Sequence, residues 1–211
     1  MKPLPGCVVI MSEKTKWLGV VLAGGQSRRF GRSKALFEQP DGAMLLNRTV
    51  ELLQSLAIDV CASARGGQEL PELACPVVQD FIPGCGPLGG ILSVMQAHRA
   101  DAYLLLTCDM PLMTESVLKN MLDSFLFDQS AAVYRVQNCV ECFPLVLASS
   151  ARGLIQERLS QGLLDIQGLL QALPKVNYLD GDVAAEFFSN MNTPEDAEKI
   201  FGIYPLQEKI L

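Results

Sequence analysis

The sequence predicts an α/β protein with a Rossmann-like, three-layer fold around a mostly parallel central sheet. Short apolar runs typical of buried strands alternate along the chain with longer segments of helical periodicity. Such alternation favours parallel strands joined by helices on both faces of a sheet. With 211 residues, 49% of them hydrophobic, the chain can bury one sizeable core.

Each predicted strand is an apolar run bounded by turn residues, and each predicted helix has apolar residues recurring at helical spacing. The strands are predicted at Val20–Ala23, Ile58–Ala62, Pro76–Gln79, Tyr103–Thr107, Ala131–Val136, Phe143–Leu147 and Val176–Tyr178. The helices are predicted at Leu45–Leu56, Leu88–Arg99, Glu115–Phe127, Ala151–Gln161 and Pro194–Phe201.

The domain organisation is predicted to be simple. The sequence contains no internal repeat, low-complexity segment or linker rich in Gly, Pro or Ser that would divide it. We therefore expect a single domain over residues 17–201, an N-terminal extension at 1–16 and a C-terminal tail at 202–211.

Charge and composition argue against several functions. The net charge of −6 disfavours general nucleic-acid binding, which needs a basic stripe that neutralises phosphates. The chain has no apolar run of about 20 residues that could span a bilayer, and the first ten residues, interrupted by two prolines, do not resemble a signal peptide. Seven scattered cysteines predict reduced thiols and a cytoplasmic protein. Cys139 and Cys142 have the spacing of a zinc pair, but neither a second pair nor a histidine cluster accompanies them.

The loop after the first strand has the composition of a phosphate-binding loop. It reads Leu22-Ala23-Gly24-Gly25-Gln26-Ser27-Arg28-Arg29-Phe30-Gly31-Arg32-Ser33-Lys34. The paired glycines let backbone N–H groups approach phosphate oxygens closely, and the three arginines and the lysine supply positive charge against a triphosphate. A glycine turn followed by a solvated basic face would explain the same residues.

The loops after the third and fourth predicted strands are the next candidates, because ligands of such sheets bind at the carboxyl ends of strands. Asp80 precedes a glycine-rich helix entry, Gly86-Pro87-Leu88-Gly89-Gly90, and could contact a base or ribose or simply cap a turn. Asp109 follows a buried strand and could hold Mg²⁺ together with substrate phosphates, or could be a turn residue before Pro111.

A helix start near the C-terminus carries two further polar side chains. A strong helix start accounts for three features here: Thr193 as N-cap, Pro194 at the first helical position and acidic residues in the first turn. They do not explain Asn190 and Asn192, whose carboxamides could bind a metal, a pterin or a phosphate.

These motifs, in this order, resemble the GT-A-like nucleotidyltransferases, and among them the molybdenum cofactor guanylyltransferases. The resemblance covers roughly residues 17–201. The first loop matches Leu-Ala-Gly-Gly-x-Ser-x-Arg-Phe-Gly-x-x-Lys, with Phe30 where the family more often has Met. Gly-Pro-Leu-Gly-Gly after Leu-Ala-Gly-Gly favours the guanylyl branch over the cytidylyl branch.

The resemblance implies transfer of GMP from GTP to molybdenum-bound molybdopterin, with release of pyrophosphate and with Mg²⁺, or alternatively Mn²⁺, as the cofactor. It implies catalytic roles for Lys34, Asp109 and Arg28, a metal-binding role for Asp109, and acceptor-binding roles for Asn190 and Asn192. It implies nucleotide binding by Leu22, Ala23, Gly24, Gly25, Lys34, Asp80, Gly86, Pro87, Leu88 and Asp109. The expected partners are these substrates and, transiently, cofactor-delivery proteins or molybdoenzymes, without nucleic acid or membrane, and the expected state is a monomer or weak homo-oligomer.

Two departures leave alternatives open. The family often has Asn after the second strand, where this chain has Ala62 or Ser63, and it often has His before the proline that is Pro144 here. A nucleotidyltransferase using CTP or another acceptor, or a non-catalytic GTP sensor, therefore stays open at this point. The single histidine, His98, lies near a predicted helix end where a solvated role is favoured. Cys85 and Cys108 are possible nucleophiles that lack an evident base partner.

Overall fold

The computed structural model describes residues 15–24 and 34–202, and these form an α/β fold around one mixed sheet of seven strands in the order β3-β2-β1-β4-β6-β5-β7. The strands are β1 (Trp17–Leu22), β2 (Asp59–Ala64), β3 (Val77–Gln79), β4 (Ala102–Thr107), β5 (Ala131–Val136), β6 (Cys139–Ala148) and β7 (Val176–Asp180). Six strands run in one direction, and β6 is antiparallel to both of its neighbours, β4 and β5. The predicted fold class is confirmed.

Helices cover both faces of the sheet and make the three layers. They are α1 (Leu45–Gln54), α2 (Gly86–Ala97), α3 (Glu115–Ser124), α4 (Arg152–Ser160), α5 (Ile166–Ala172) and α6 (Pro194–Phe201), with 3₁₀ segments at Lys34–Leu36, Ser149–Ala151 and Asp182–Phe188. The apolar residues of α1 and α3 pack on one face, and those of α2, α4 and α5 pack on the other. None of the helices in the described ranges is long and apolar enough to cross a membrane.

The central strands are apolar on both faces because helices cover both faces. In β4, Leu104 and Leu106 point into the layer of α1 and α3, while Tyr103 and Leu105 point into the layer of α2 and α4. All four side chains are at most 2% exposed. This explains why the strand reads as a continuous apolar run rather than as an alternating one.

The main difference from the predicted elements is α5, which the sequence analysis did not identify. Its seven residues are too few for a clear periodic pattern, and Gly168 lowers the helix propensity of the segment. Tertiary contacts compensate for this: Asp165 caps the helix by accepting the N–H of Gly168 at 2.5 Å, and Ile166 and Leu169 are buried against the sheet. Smaller differences lie at element ends; β6, for example, begins at Cys139 and not at Phe143.

The start of α6 is fixed by a capping box. The Thr193 hydroxyl accepts the N–H of Asp196 at 3.2 Å, and the Asp196 carboxylate accepts the N–H of Thr193 at 2.8 Å and that of Asn192 at 2.9 Å. Just upstream, the N–H of Met191 donates to the Asp109 carbonyl at 2.8 Å. The cap therefore holds the segment before α6 against the carboxyl end of β4.

Replacing Thr193 with Ala is expected to lower the free energy of unfolding by about 1 kcal/mol, because the hydroxyl of an N-cap satisfies a helix N–H that would otherwise lack a partner. Urea unfolding monitored by circular dichroism measures the change. Thr114→Ala is the matched control, since Thr114 is the N-cap of α3 but makes no side-chain capping bond. Equal losses in the two variants would contradict the role given to the capping box.

Candidate active site

The site lies where the parallel strands end, at one edge of the sheet. Leu22 of β1 pairs in register with Ser63 of β2 and with Thr107 of β4. Because these strands run in the same direction, the loops that follow them leave the sheet side by side. The residues predicted after the first, third and fourth strands therefore meet at this edge.

A lysine, a carboxylate and a carboxamide from three distant parts of the chain converge there. The Lys34 Nζ donates to Asp109 Oδ2 at 3.2 Å and to Asn192 Oδ1 at 2.7 Å. The side chains of Lys34 and Asp109 are 12% and 24% exposed, so the ion pair is partly shielded from water. We refer to Lys34, Asp109 and Asn192 as the charged cluster. It presents both signs of charge at the end of β4.

Lys34 and Asp109 of the charged cluster line a cavity of about 90 Å³ that is suited to phosphate oxygens and a cation. Its other walls are the end of β1, Leu22 to Gly24, and Thr107 and Cys108. Among the described residues there is no group of three or more His, Cys, Asp or Glu side chains that could hold a metal by themselves. One carboxylate fits Mg²⁺ or Mn²⁺ only where substrate phosphates and water supply the remaining oxygen ligands. Asp109 is the carboxylate in the wall of this cavity, so it could hold such a cation together with those ligands.

Asp80 occupies a close-fitting position beside the same edge. Its Oδ1 accepts the Ser63 hydroxyl at 2.8 Å, and its N–H donates to the Ala64 carbonyl at 2.9 Å. Burial raises the pKa of Asp80, and the hydrogen bond from Ser63 and the charge of Arg65 oppose that rise in part. Gly90 of α2 makes the close packing possible, since a Cβ there would lie 2.5 Å from the Ser63 Oγ.

A cleft of about 470 Å³ opens on the other side of Asp80. Its walls are the loop after β2, from Arg65 to Gln68, and the loop after β3, with Pro83 and Gly84. The volume lies within the range of about 300–1,000 Å³ that is usual for small-molecule sites. A glycine-lined cleft of this size can accept a nucleoside.

Gly24 lies between the cleft and the smaller cavity. A Cβ at this position would lie 3.7 Å from Asp80 Oδ2 and 3.8 Å from Arg65 Cγ, while Gly24 itself lines the cavity beside Asp109. Gln68 fixes the arrangement by donating from Nε2 to the Ala23 carbonyl at 2.8 Å. A ligand with a base at one end and phosphates at the other can therefore lie across the end of β1.

Other predicted site residues are placed differently. Leu88 is fully buried in the core and lines neither the cleft nor the small cavity. Gly86 starts α2 with a φ of 59°, a conformation that favours glycine, and Pro87 follows it in the first turn. The carboxamide of Asn190 donates to the Phe188 carbonyl at 3.5 Å and has no hydrogen bond to the charged cluster. Gly25, Arg28, Arg29 and Arg32 lie outside the described residues, and their roles stay predictions.

The structure disfavours Cys108 as a nucleophile and His98 as its base. Cys108 lines the small cavity, but burial raises its pKa to about 12, so its thiol is protonated at neutral pH and is a poor nucleophile. His98 caps the C-terminal end of α2, at the other end of the helix from Gly86. Neither residue provides activated nucleophile or base chemistry at the site.

Sequence reasoning did not identify Ser63, Gln68 and Gly90 as residues that shape the site. Ser63 was noted only as one of two positions where the family more often has Asn. The hydrogen bond from Ser63 to Asp80 depends on the register between β2 and β3, and this register cannot be predicted from the sequence. Gly90 stands in the sequence analysis only as part of the glycine-rich helix entry after Asp80.

A base-sized cleft joined to a small charged cavity, at the carboxyl edge of such a sheet, is the arrangement expected of an α/β nucleotidyltransferase, and comparison with known proteins places the chain in that class. Residues 19–176 match the MobA-like NTP transferase domain, and the chain belongs to this family.

Individual relatives agree with this assignment. A protein of Chloroflexus aggregans named probable molybdenum cofactor guanylyltransferase is 30% identical over 192 residues, which cover 86% of this chain and 92% of that protein. The molybdopterin-guanine dinucleotide biosynthesis protein A of Archaeoglobus fulgidus superimposes with a TM-score of 0.71 at 20% identity, covering 88% of this chain and 97% of that one. Rv0371c of Mycobacterium tuberculosis, whose crystal structure is a complex with manganese, gives a TM-score of 0.60 at 19% identity and covers 90% and 100%. At these identities the two structures show a shared fold.

Gly90→Ala is expected to weaken nucleotide binding and to lower the free energy of unfolding by about 1–3 kcal/mol, because the added methyl group overpacks against Ser63 and displaces Asp80. Calorimetric titration with GTP and urea unfolding measure the two effects. Gly153→Ala in α4 is the control: a Cβ there meets nothing within 4 Å, and Ala is the better helix former. If Gly90→Ala bound GTP as the unmodified protein does, the close packing around Asp80 would be irrelevant to the site.

Asp80→Asn is expected to raise the free energy of unfolding at pH 7 while weakening nucleotide binding. A carboxyl whose pKa is higher in the folded than in the unfolded protein costs stability when it is ionised, and Asn removes that cost but still accepts the Ser63 hydroxyl. The gain should shrink as the pH falls through the raised pKa and should vanish below 3.8, where the carboxyl is protonated in both states. Urea unfolding of both proteins between pH 3.5 and pH 7 tests this, and a gain independent of pH would contradict it.

Proposed function

We propose that the protein transfers GMP from GTP to molybdenum-bound molybdopterin and releases pyrophosphate. The names of the relatives support the choice of substrates. The observation that carries the proposal is the charged cluster, which brings Lys34, Asp109 and Asn192 together beside a cavity of phosphate size.

The cleft and the cavity suggest how GTP lies in the site. The guanosine occupies the cleft, where the Asp80 carboxylate accepts hydrogen bonds from base or ribose donors. The triphosphate crosses Gly24 and reaches the cavity bordered by Lys34 and Asp109. Because Gly24 has no side chain, the backbone at the end of β1 can approach the phosphates closely.

Asp109 would hold Mg²⁺ or Mn²⁺ by its carboxylate, with phosphate oxygens as further ligands. When bound, the cation supplies charge neutralisation at the triphosphate. Lys34 adds a second positive charge that is already oriented by Asp109 and Asn192, and Arg28 is proposed to add a third.

The reaction is a substitution at the α-phosphorus of GTP. A terminal phosphate oxygen of the acceptor forms a new bond to this phosphorus, the bond to the bridging oxygen of the β-phosphate breaks, and pyrophosphate leaves with that electron pair. The protein supplies alignment and electrostatic stabilisation, without a covalent intermediate. This agrees with the protonated Cys108 thiol, since the reaction needs no protein nucleophile. Asn192, and Asn190 if it reorients, would contact the acceptor.

The experiment is pyrophosphate release by the purified protein with Mg²⁺ and molybdenum-loaded molybdopterin, with GTP, CTP and ATP compared side by side. We expect release with GTP only, and a loss of roughly a hundredfold or more in Asp109→Ala, since the variant lacks the carboxylate that holds the cation. Asp123→Ala, which removes an exposed carboxylate of α3, is the control and should retain full activity.

A second measurement separates the metal role from a folding defect. Binding of Mn²⁺ in the presence of a non-hydrolysable GTP analogue, followed by electron paramagnetic resonance, should be lost in Asp109→Ala, while metal-free binding of the analogue is largely kept. Release with CTP would move the protein to a cytidylyl reaction. GTP binding without release would contradict GMP transfer to this acceptor.

A further inference from the structure

A second large cavity, of about 540 Å³, lies at the opposite end of the sheet, where β1 and β4 begin. Three basic side chains line it: Lys16 before β1, Arg99 between α2 and β4, and Arg152 at the start of α4. Asp101 is the one acidic residue in its wall. We refer to this cavity as the basic pocket. Its walls carry a local excess of positive charge on a chain whose net charge is −6.

The three cations of the basic pocket differ from most other basic side chains of the described residues in lacking a carboxylate partner. Ion pairs are made by Lys34, Arg48, Lys119, Arg158 and Lys175. Within the described ranges, Lys16, Arg99 and Arg152 have no carboxylate oxygen within ion-pair distance, although Asp101 lies in the same wall. No ion pair with a described carboxylate therefore offsets their charge.

Hydrogen bonds fix the backbone that carries Arg99. The buried Tyr103 hydroxyl donates to the His98 carbonyl at 2.8 Å and accepts the N–H of Ala100 at 3.2 Å. Arg99 lies between these two anchored residues. The Tyr103 hydroxyl thus holds the backbone on both sides of Arg99, so only the Arg99 side chain has to adjust to a ligand.

Asp101 fixes the other two segments. Its carboxylate Oδ2 accepts the N–H of Lys16 at 2.8 Å, and its own N–H donates to the Lys16 carbonyl at 2.8 Å. Its carbonyl accepts the N–H of Ser149 at 2.9 Å, in the turn that leads to Arg152. The carboxylate is thus engaged with the backbone and organises the pocket, and its single negative charge leaves the wall with a net positive charge from the three cations.

We propose that the basic pocket binds a diphosphate group, either free or carried by a nucleotide. Two guanidinium groups and an ammonium that line one cavity, none of them paired with a described carboxylate, suit a polyanion with several oxygen acceptors. The volume exceeds what a single phosphate needs and lies in the range of small-molecule sites. The pocket is separated from Asp109 by the length of β4, about 20 Å for six residues. It is a site distinct from the catalytic edge, and the proposal does not depend on the reaction proposed above.

Calorimetric titration gives the readout, because it counts binding sites directly. We would titrate the full-length protein, without divalent metal, with pyrophosphate and separately with a non-hydrolysable GTP analogue.

The decisive variant is Arg99→Gln/Arg152→Gln, compared with Lys119→Gln/Lys175→Gln, which removes the same charge from other exposed positions. We expect pyrophosphate to bind the unmodified protein, to bind at least tenfold more weakly to the first variant with a shallower dependence on salt, and to bind the control unchanged. Lys34→Gln, which impairs the catalytic edge, should keep the pyrophosphate binding that depends on Arg99 and Arg152.

The outcomes separate the possibilities. Binding of pyrophosphate alone that is weakened in the arginine variant assigns the pocket to free diphosphate, and binding of the analogue that is weakened in the same way extends it to nucleotides. Equal binding by the arginine variant, equal loss in the lysine control, or calorimetry that shows no site besides the one abolished by Lys34→Gln would each overturn the proposal. Retained GMP transfer in the arginine variant leaves the catalytic proposal intact whichever result is obtained.

Discussion

The parallel direction of β1, β2, β3 and β4 is the constraint on which the candidate site depends. Because their carboxyl ends share one edge, loops separated by tens of residues in sequence leave the sheet as neighbours. Lys34, Asp109 and Asn192 can then form contacts across separations of 75 and 158 residues. The apolar layers on both faces hold the strands in this register, so the chemistry at the edge relies on burial far from it.

The site contains a carboxylate, that of Asp80, whose partial burial costs free energy when it is charged. Asp80 is partly removed from water, and its raised pKa expresses the cost of keeping the carboxylate charged there. The Ser63 hydroxyl and the positive charge of Arg65 recover part of that cost. A carboxylate kept in a confined position has few conformations to lose when a ligand arrives, which favours selective binding.

The central strands and the loops that form the candidate site could be predicted from the sequence, because strong local patterns indicate them. The apolar runs of β1 and β4 marked the strands, and the glycines and charged residues directly after them marked the loops. Contacts set by long-range register could not be predicted. The Ser63–Asp80 hydrogen bond and the space that Gly90 leaves depend on how β2, β3 and α2 meet. Similarly, the sequence analysis gives Asn190 and Asn192 the same acceptor-binding role, whereas in the structure only Asn192 contacts Lys34.

The reversal of β6 divides the chain into two parts with different contributions. Every described residue that lines the cleft or the small cavity lies between Leu22 and Asp109, on the parallel strands that precede β6 in the chain. Residues after that point reach the charged cluster through Asn192, at the entrance to α6. The first part of the chain thus builds almost all of the candidate site, and the second part adds one carboxamide to it. A chimaera joined in the loop after Asp109 would keep the cleft and the small cavity of one parent. It would receive from the other parent the Asn192 carboxamide that contacts Lys34.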